Sequence, residues 1–108
     1  MLLVDGDRQG RVLAAQMLAG LGFRVALADN AEEALGALGE GARFHAVLAD
    51  VSLPGGGREL ATRIRDIAPG LRVILTGEGG AEPADAYFQF LPINYSPEQL
   101  SSMLGPAV

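Results

Sequence analysis

FHAVLADVSLP, Phe44 to Pro54, decides how this chain folds. Phe44 to Ala49 is a run of strand length, apolar but for His45, that halts at Asp50, and Pro54 follows four residues on. A run that is apolar without alternation belongs to a strand covered on both faces, as in a parallel sheet between two helical layers. Outward from it, four more strand-length runs recur at Leu2 to Val4, Phe23 to Ala28, Leu71 to Leu75 and Phe88 to Leu91.

The stretches between these runs carry the helical period. Val12, Leu13, Met17, Leu18 and Leu21 repeat at three and four residues and predict one buried face of a helix over Arg8 to Gly20. Asn30 with Glu33 forms a capping-box pattern opening a helix over Ala31 to Leu38. Arg58 to Ile67 reads as a third helix with Leu60, Ile64 and Ile67 inward, and Ser96 followed by Pro97 starts a last one that buries Leu100, Met103 and Leu104. Strand and helix thus alternate, which predicts an α/β fold. One crossover departs from the alternation: GEGGAEPADA, Gly77 to Ala86, has three glycines, a proline and no apolar stripe, and reads as a loop or single turn.

With 108 residues the chain supports one core. Eight basic against 13 acidic residues give a net charge of −5, which excludes the basic surface needed to neutralise nucleic-acid phosphates. No apolar run approaches the ~20 residues that cross a bilayer. Cysteine is absent, removing disulfides and thiolate chemistry, and no targeting signal precedes Asp5, so the chain is expected to be cytoplasmic. The start inside a strand and the ending Gly105 to Val108 read as a domain cut from something longer, with a core of 1–104 and a tail of 105–108. All eight basic residues are arginine, so no lysine is available for any chemistry.

In an open parallel sheet, sites form at the carboxyl ends of the strands near the point where strand order reverses. That edge collects Asp5, Gly6 and Asp7 after the first strand, Asp50 after the third, Thr76 and Gly77 after the fourth, and Leu91 and Pro92 after the fifth. Carboxylates gathered there repel, and a hard cation with oxygen ligands, most naturally Mg²⁺, would relieve the repulsion. Each Asp taken singly reads equally as a turn or helix cap, and for Asp7, just before the first helix, the cap is the preferred reading. His45 opens the third strand, away from this edge, and reads as a lone exposed histidine; Gly55 to Gly57 reads as a mobile loop beside the site. Phe88, Phe90 and Tyr95 read as packing residues.

In this order and spacing, LLVDGD, ADVSLP, ILTGE and FLP resemble the receiver domain of bacterial two-component response regulators over nearly the whole chain. The resemblance implies a flavodoxin-like, doubly wound, three-layer fold with five parallel strands, here with a reduced or missing fourth helix. It implies phosphorelay signalling with no enzymatic turnover. Asp50 would accept a phosphoryl group from a sensor histidine kinase or phosphotransfer protein. Asp5, Asp50 and the backbone carbonyl of Ser52 would hold Mg²⁺, with Asp7 as a further candidate ligand. Thr76 would hydrogen-bond the phosphoryl group, and Phe88 stands where the family has its aromatic switch residue. An output domain or other signalling partner is implied, without direct contact to nucleic acid or membrane.

Two positions depart from the pattern. Gly6 stands in place of the carboxylate that binds Mg²⁺ directly, and Leu91 in place of the lysine that pairs with the phosphoryl group. Weak Mg²⁺ binding and impaired phosphoryl chemistry are therefore expected. A pseudo-receiver that serves as a phosphorylation-independent interaction module is the alternative. LLVDGD also fits the nucleophile motif of haloacid dehalogenase-type phosphatases, but that family needs a lysine and a longer chain.

Overall fold

The computed structural model describes residues 1–39, 44–53, 56–77, 88–92 and 95–105. Its elements run β1 (Leu2–Val4), α1 (Arg8–Gly20), β2 (Ala26–Ala28), α2 (Ala31–Gly39), β3 (Ala46–Asp50), α3 (Gly57–Ile67), β4 (Arg72–Gly77), β5 (Phe88–Pro92) and α4 (Pro97–Leu104). All five strands are parallel, in the order β2-β1-β3-β4-β5. This is the doubly wound arrangement expected from the sequence, with its reversal of strand order between β1 and β3.

Each face of the sheet buries its own cluster. Leu2, Val4, Val47, Ala49, Val73 and Leu75 pack against Ala34 of α2 and Leu60 and Ile64 of α3. Leu3, Leu48, Ile74 and Leu91 pack against Ala14 and Leu18 of α1 and Leu100 and Leu104 of α4. The alternation of side chains along a strand sends successive residues to opposite clusters, so a central strand is apolar throughout.

Three residues expected to face inward are exposed instead. Val12 and Leu13 are 47% and 66% exposed, because α1 lays down Ala14 and Leu18 with Met17 and Leu21 partly covered. Helical spacing allows either stripe, and the small Ala14 lets the helix approach the sheet where a Leu would hold it off. Ile67 is 57% exposed at the end of α3, whose buried positions are Leu60, Ala61 and Ile64. Two strands also start late: pairing in β2 begins at Ala26 rather than Phe23, and in β3 at Ala46 rather than Phe44. Phe23 is buried as a turn residue on the α1/α4 side, so burial without pairing explains its apolar character.

Helix ends follow their capping residues. Asn30 Oδ1 accepts from Glu33 N at 2.9 Å, and the Glu33 carboxylate accepts from Asp29 N, one residue before the expected partner. Ser96 and Gln99 form the complete reciprocal box at the start of α4. The fourth crossover, Pro54, Gly55 and the 106–108 part of the tail lie outside the described residues.

Candidate functional site

The site is built by register. Asp50 pairs with Thr76 across β3 and β4, and Thr76 pairs with Leu91 across β4 and β5. These three residues form one row at the carboxyl ends, two residues beyond Leu48 and Ile74, and so face the α1/α4 side. Asp5, two residues beyond Leu3, joins them from β1. Asp5, Asp7, Asp50, Thr76 and Tyr95 line one cavity of about 290 Å³. Leu13, Ala14 and Met17 of α1 form its apolar wall.

Hydrogen bonds orient the acids. Asp5 Oδ1 accepts from Asp7 N at 2.8 Å, and Asp7 Oδ2 accepts from Gly10 N at 3.0 Å, so Asp7 caps α1 as its sequence position predicts. Gly10, which also lines this cavity, is a position the sequence reading passed over. A Cβ there would lie 2.9 Å from Asp5 Oδ2 and 3.2 Å from Asp7 Oδ2, so the glycine makes room for both carboxylates. Its signal was present: a poor helix former three residues after the N-cap. Asp50 Oδ1 accepts from Ser52 N at 3.1 Å, and the Ser52 hydroxyl lies 3.1 Å from both Asp50 oxygens. Ser52 therefore holds the Asp50 carboxylate through its side chain as well as its backbone N–H, a contact the sequence did not reveal.

Arg11 Nη1 donates to the Asp5 carbonyl at 2.8 Å. Burial pushes the Asp5 carboxyl above the usual carboxylate range, and the charges of Asp50 and Asp7 add to it, against the Asp7 N–H and Arg11. The Tyr95 phenol is likewise raised by burial and by the Asp5 charge.

Gly56 is the N-cap of α3 and Gly57 its first residue, while Gly55 lies outside the described residues. Gly56 takes φ +86°, and a Cβ on Gly57 would lie 2.5 Å from the Asp50 carbonyl oxygen. The α3 N-terminus thus packs directly on the backbone that carries Asp50. His45 is exposed and distant from this edge, as expected. Of Phe88 only the backbone is described, paired with Val73; its side chain, and with it the switch assignment, lies outside the described residues. Phe90 is partly buried under the Arg58 guanidinium, 5.5 Å from the ring centroid.

Among the described residues no three His, Cys, Asp or Glu side chains gather into a metal-holding group. The expected three-carboxylate cluster is not formed: Asp7 lines the same cavity, but one of its oxygens caps α1. What remains is an all-oxygen set of two coupled carboxylates, Asp5 and Asp50, and this fits Mg²⁺, which is held by one or two carboxylates together with phosphate oxygens and water.

Residues 1–90 match the family profile of the response regulator receiver domain. The chain belongs to that family. A response regulator receiver protein of Anaeromyxobacter sp. (strain Fw109-5) is 43% identical over 70 residues, which are 64% of this chain and 29% of the relative. The chain thus spans less than a third of that protein's length. The receiver domain of NtrX from Brucella abortus superposes with a TM-score of 0.82 at 28% identity, covering 94% of this chain and 92% of that one. A response regulator receiver domain protein from Clostridium thermocellum gives 0.87 at 22% identity, with 95% and 88% covered, and supports the fold. Receiver domains are signalling modules of two-component phosphorelays that work with histidine kinases or phosphotransfer proteins. No helix among the described residues is long and apolar enough to cross a membrane.

Proposed function

We propose that Asp50 is the phosphoacceptor of this receiver domain and that its phosphoryl chemistry is slow. The observation that carries the proposal is the row of Asp50 and Thr76 in register at the mouth of one cavity with Asp5. A carboxylate oxygen of Asp50 attacks the phosphorus of a partner's phosphohistidine. The O–P bond forms as the N–P bond breaks, and the imidazole leaves with the electron pair and takes a proton from water. Charge spreads over the three phosphoryl oxygens, where the Thr76 hydroxyl donates a hydrogen bond. Mg²⁺, held by Asp5, Asp50 and the Ser52 carbonyl with Asp7 as a further candidate, would supply charge neutralisation there.

The brake has two sources. Gly6 contributes no carboxylate, and Leu91, where the family pattern calls for lysine, is 3% exposed within an apolar cluster. That same burial favours a second reading, a pseudo-receiver that has kept the fold as a phosphorylation-independent interaction module.

Intact mass after incubation with Mg²⁺ and acetyl phosphate separates the two. We expect slow gain of one phosphoryl group by wild type, none by Asp50→Asn, and clearly faster gain by Gly6→Asp with Leu91→Lys. No gain by wild type at saturating phosphodonor supports the interaction module. Rapid gain by wild type overturns the brake.

A further inference from the structure

We propose that Tyr95 is a phosphoryl-binding residue, its phenolic hydroxyl donating to an oxygen of the phosphoryl group on Asp50 from the β5 side of the cavity. The inference rests on Asp50 being the acceptor and goes beyond it by naming a donor on the side where no lysine exists.

Among the described residues the β5 side is short of donors. Leu91 turns into the core, and no arginine lines the cavity among the described residues. Arg11 donates to the Asp5 carbonyl, Arg58 covers Phe90 on the opposite face of the sheet, and Arg72 donates to the Met103 carbonyl at the other end of the strands. Tyr95 lines the cavity together with Asp50 and Thr76.

Its position is fixed from two directions. Tyr95 N donates to the Pro92 carbonyl at 3.1 Å, which closes the turn leaving β5. Ser96, the next residue, is locked as the N-cap of α4 by bonds to Gln99 in both directions. Tyr95 then precedes the cap, and its ring is partly buried against the cluster containing Leu91 and Leu100. A hydrophobic residue before the cap commonly packs on the fourth helical residue, here Leu100, and this anchors the ring.

The hydroxyl is left over from that anchoring. It makes no hydrogen bond to another described residue, while the Asp5 charge is close enough to act on it. An O–H donor beside a carboxylate, with no acceptor among the described residues tying it down, suits an incoming anion with oxygens to spare. A phenol adds no charge, so it supplements Thr76 without competing with a cation for Asp5 and Asp50.

Tyr95→Phe removes only the oxygen and keeps the ring in its packing. The test is a calorimetric titration of the full chain with Mg²⁺ and beryllofluoride, a phosphoryl analogue, paired with a thermal melt without the analogue. We expect Tyr95→Phe to weaken beryllofluoride binding about tenfold, as for one hydrogen bond to a charged group, with an unchanged melting midpoint. Equal affinity in wild type and Tyr95→Phe overturns the role of Tyr95 while leaving Asp50 as acceptor. Absence of beryllofluoride binding by wild type overturns both. A melt lowered in Tyr95→Phe with unchanged affinity assigns the hydroxyl to structure and also rejects the proposal.

Discussion

The two ends of the parallel sheet handle polar groups in opposite ways. At the carboxyl end, Asp5, Asp7 and Asp50 line one cavity, each carboxylate accepting a backbone N–H, and the Arg11 guanidinium bonds to the backbone carbonyl of Asp5. At the amino end, side chains complete a helix. α4 has no basic residue in its last turn, but its final carbonyls accept from Arg72 of β4, at Met103, and from His45, at Leu104 over 3.0 Å. The carbonyl can only accept, so the His45 proton sits on Nε2. The His45 ring also leans on Phe23, with centroids 5.3 Å apart. One end gathers carboxylates around a cavity; the other satisfies what the helix would leave bare.

The largest effect expected from breaking this contrast is at Gly57, where the carboxyl end meets α3. Gly57→Ala forces a methyl group into the Asp50 carbonyl and the Val51 Cα, both backbone. A cost of about 2–3 kcal/mol, or roughly 10–20 °C of melting midpoint, should follow in a thermal melt. A drop under a few degrees would show that α3 shifts freely and does not brace the backbone of Asp50.

At the amino end, Arg72→Ala should remove about 1 kcal/mol, and His45→Ala a similar or smaller amount. Hydrogen exchange should show the loss concentrated in the amides at the end of α4, with the carboxyl-end loops unaffected. Uniform loss across the sheet would mean that the two ends are not separable.

The smallest effect carries the opposite sign. A carboxyl raised by folding contributes stability that is present below its unfolded value, 3.8, and lost as pH rises through its higher folded value. At neutral pH charged Asp5 is therefore a burden on the fold. Asp5→Asn keeps an acceptor for Asp7 N and should raise the melting midpoint by about 1–3 °C at pH 7, a gain limited by partial solvent exposure. The gain should vanish as pH falls below about 4. A loss of stability at pH 7 would mean that the charged form is favoured by its neighbours.

The strands were legible because each central strand is apolar on both faces and stops at a polar residue. Asp5, Asp50 and Thr76 were legible for the same reason, since strand ends mark the edge where sites form. Position along a helix was less so: Val12 and Leu13 satisfy the helical period as well as Ala14 and Leu18 do, and only the spacing between helix and sheet decides. Contacts that cross elements left no periodic trace. Examples are the Ser52 hydroxyl on Asp50, the room Gly10 leaves for Asp5, and the bond from His45 to the end of α4. Tyr95 read as packing because its ring does pack; that it lines the same cavity as the acids follows from the turn after β5 and the cap of α4, which only the folded chain brings together.

The central claim is that one carboxylate of the acidic edge, Asp50, takes the phosphoryl group. The most direct measurement is to incubate the full chain with Mg²⁺ and acetyl phosphate, trap any acyl phosphate by reduction with borohydride, and map the reduced residue by peptide mass spectrometry. Reduction converts a phosphorylated aspartate to homoserine and leaves free carboxylates unchanged. Homoserine at position 50 and at neither 5 nor 7 is the result this account predicts; homoserine at 5 or 7, or none at any position, would contradict it.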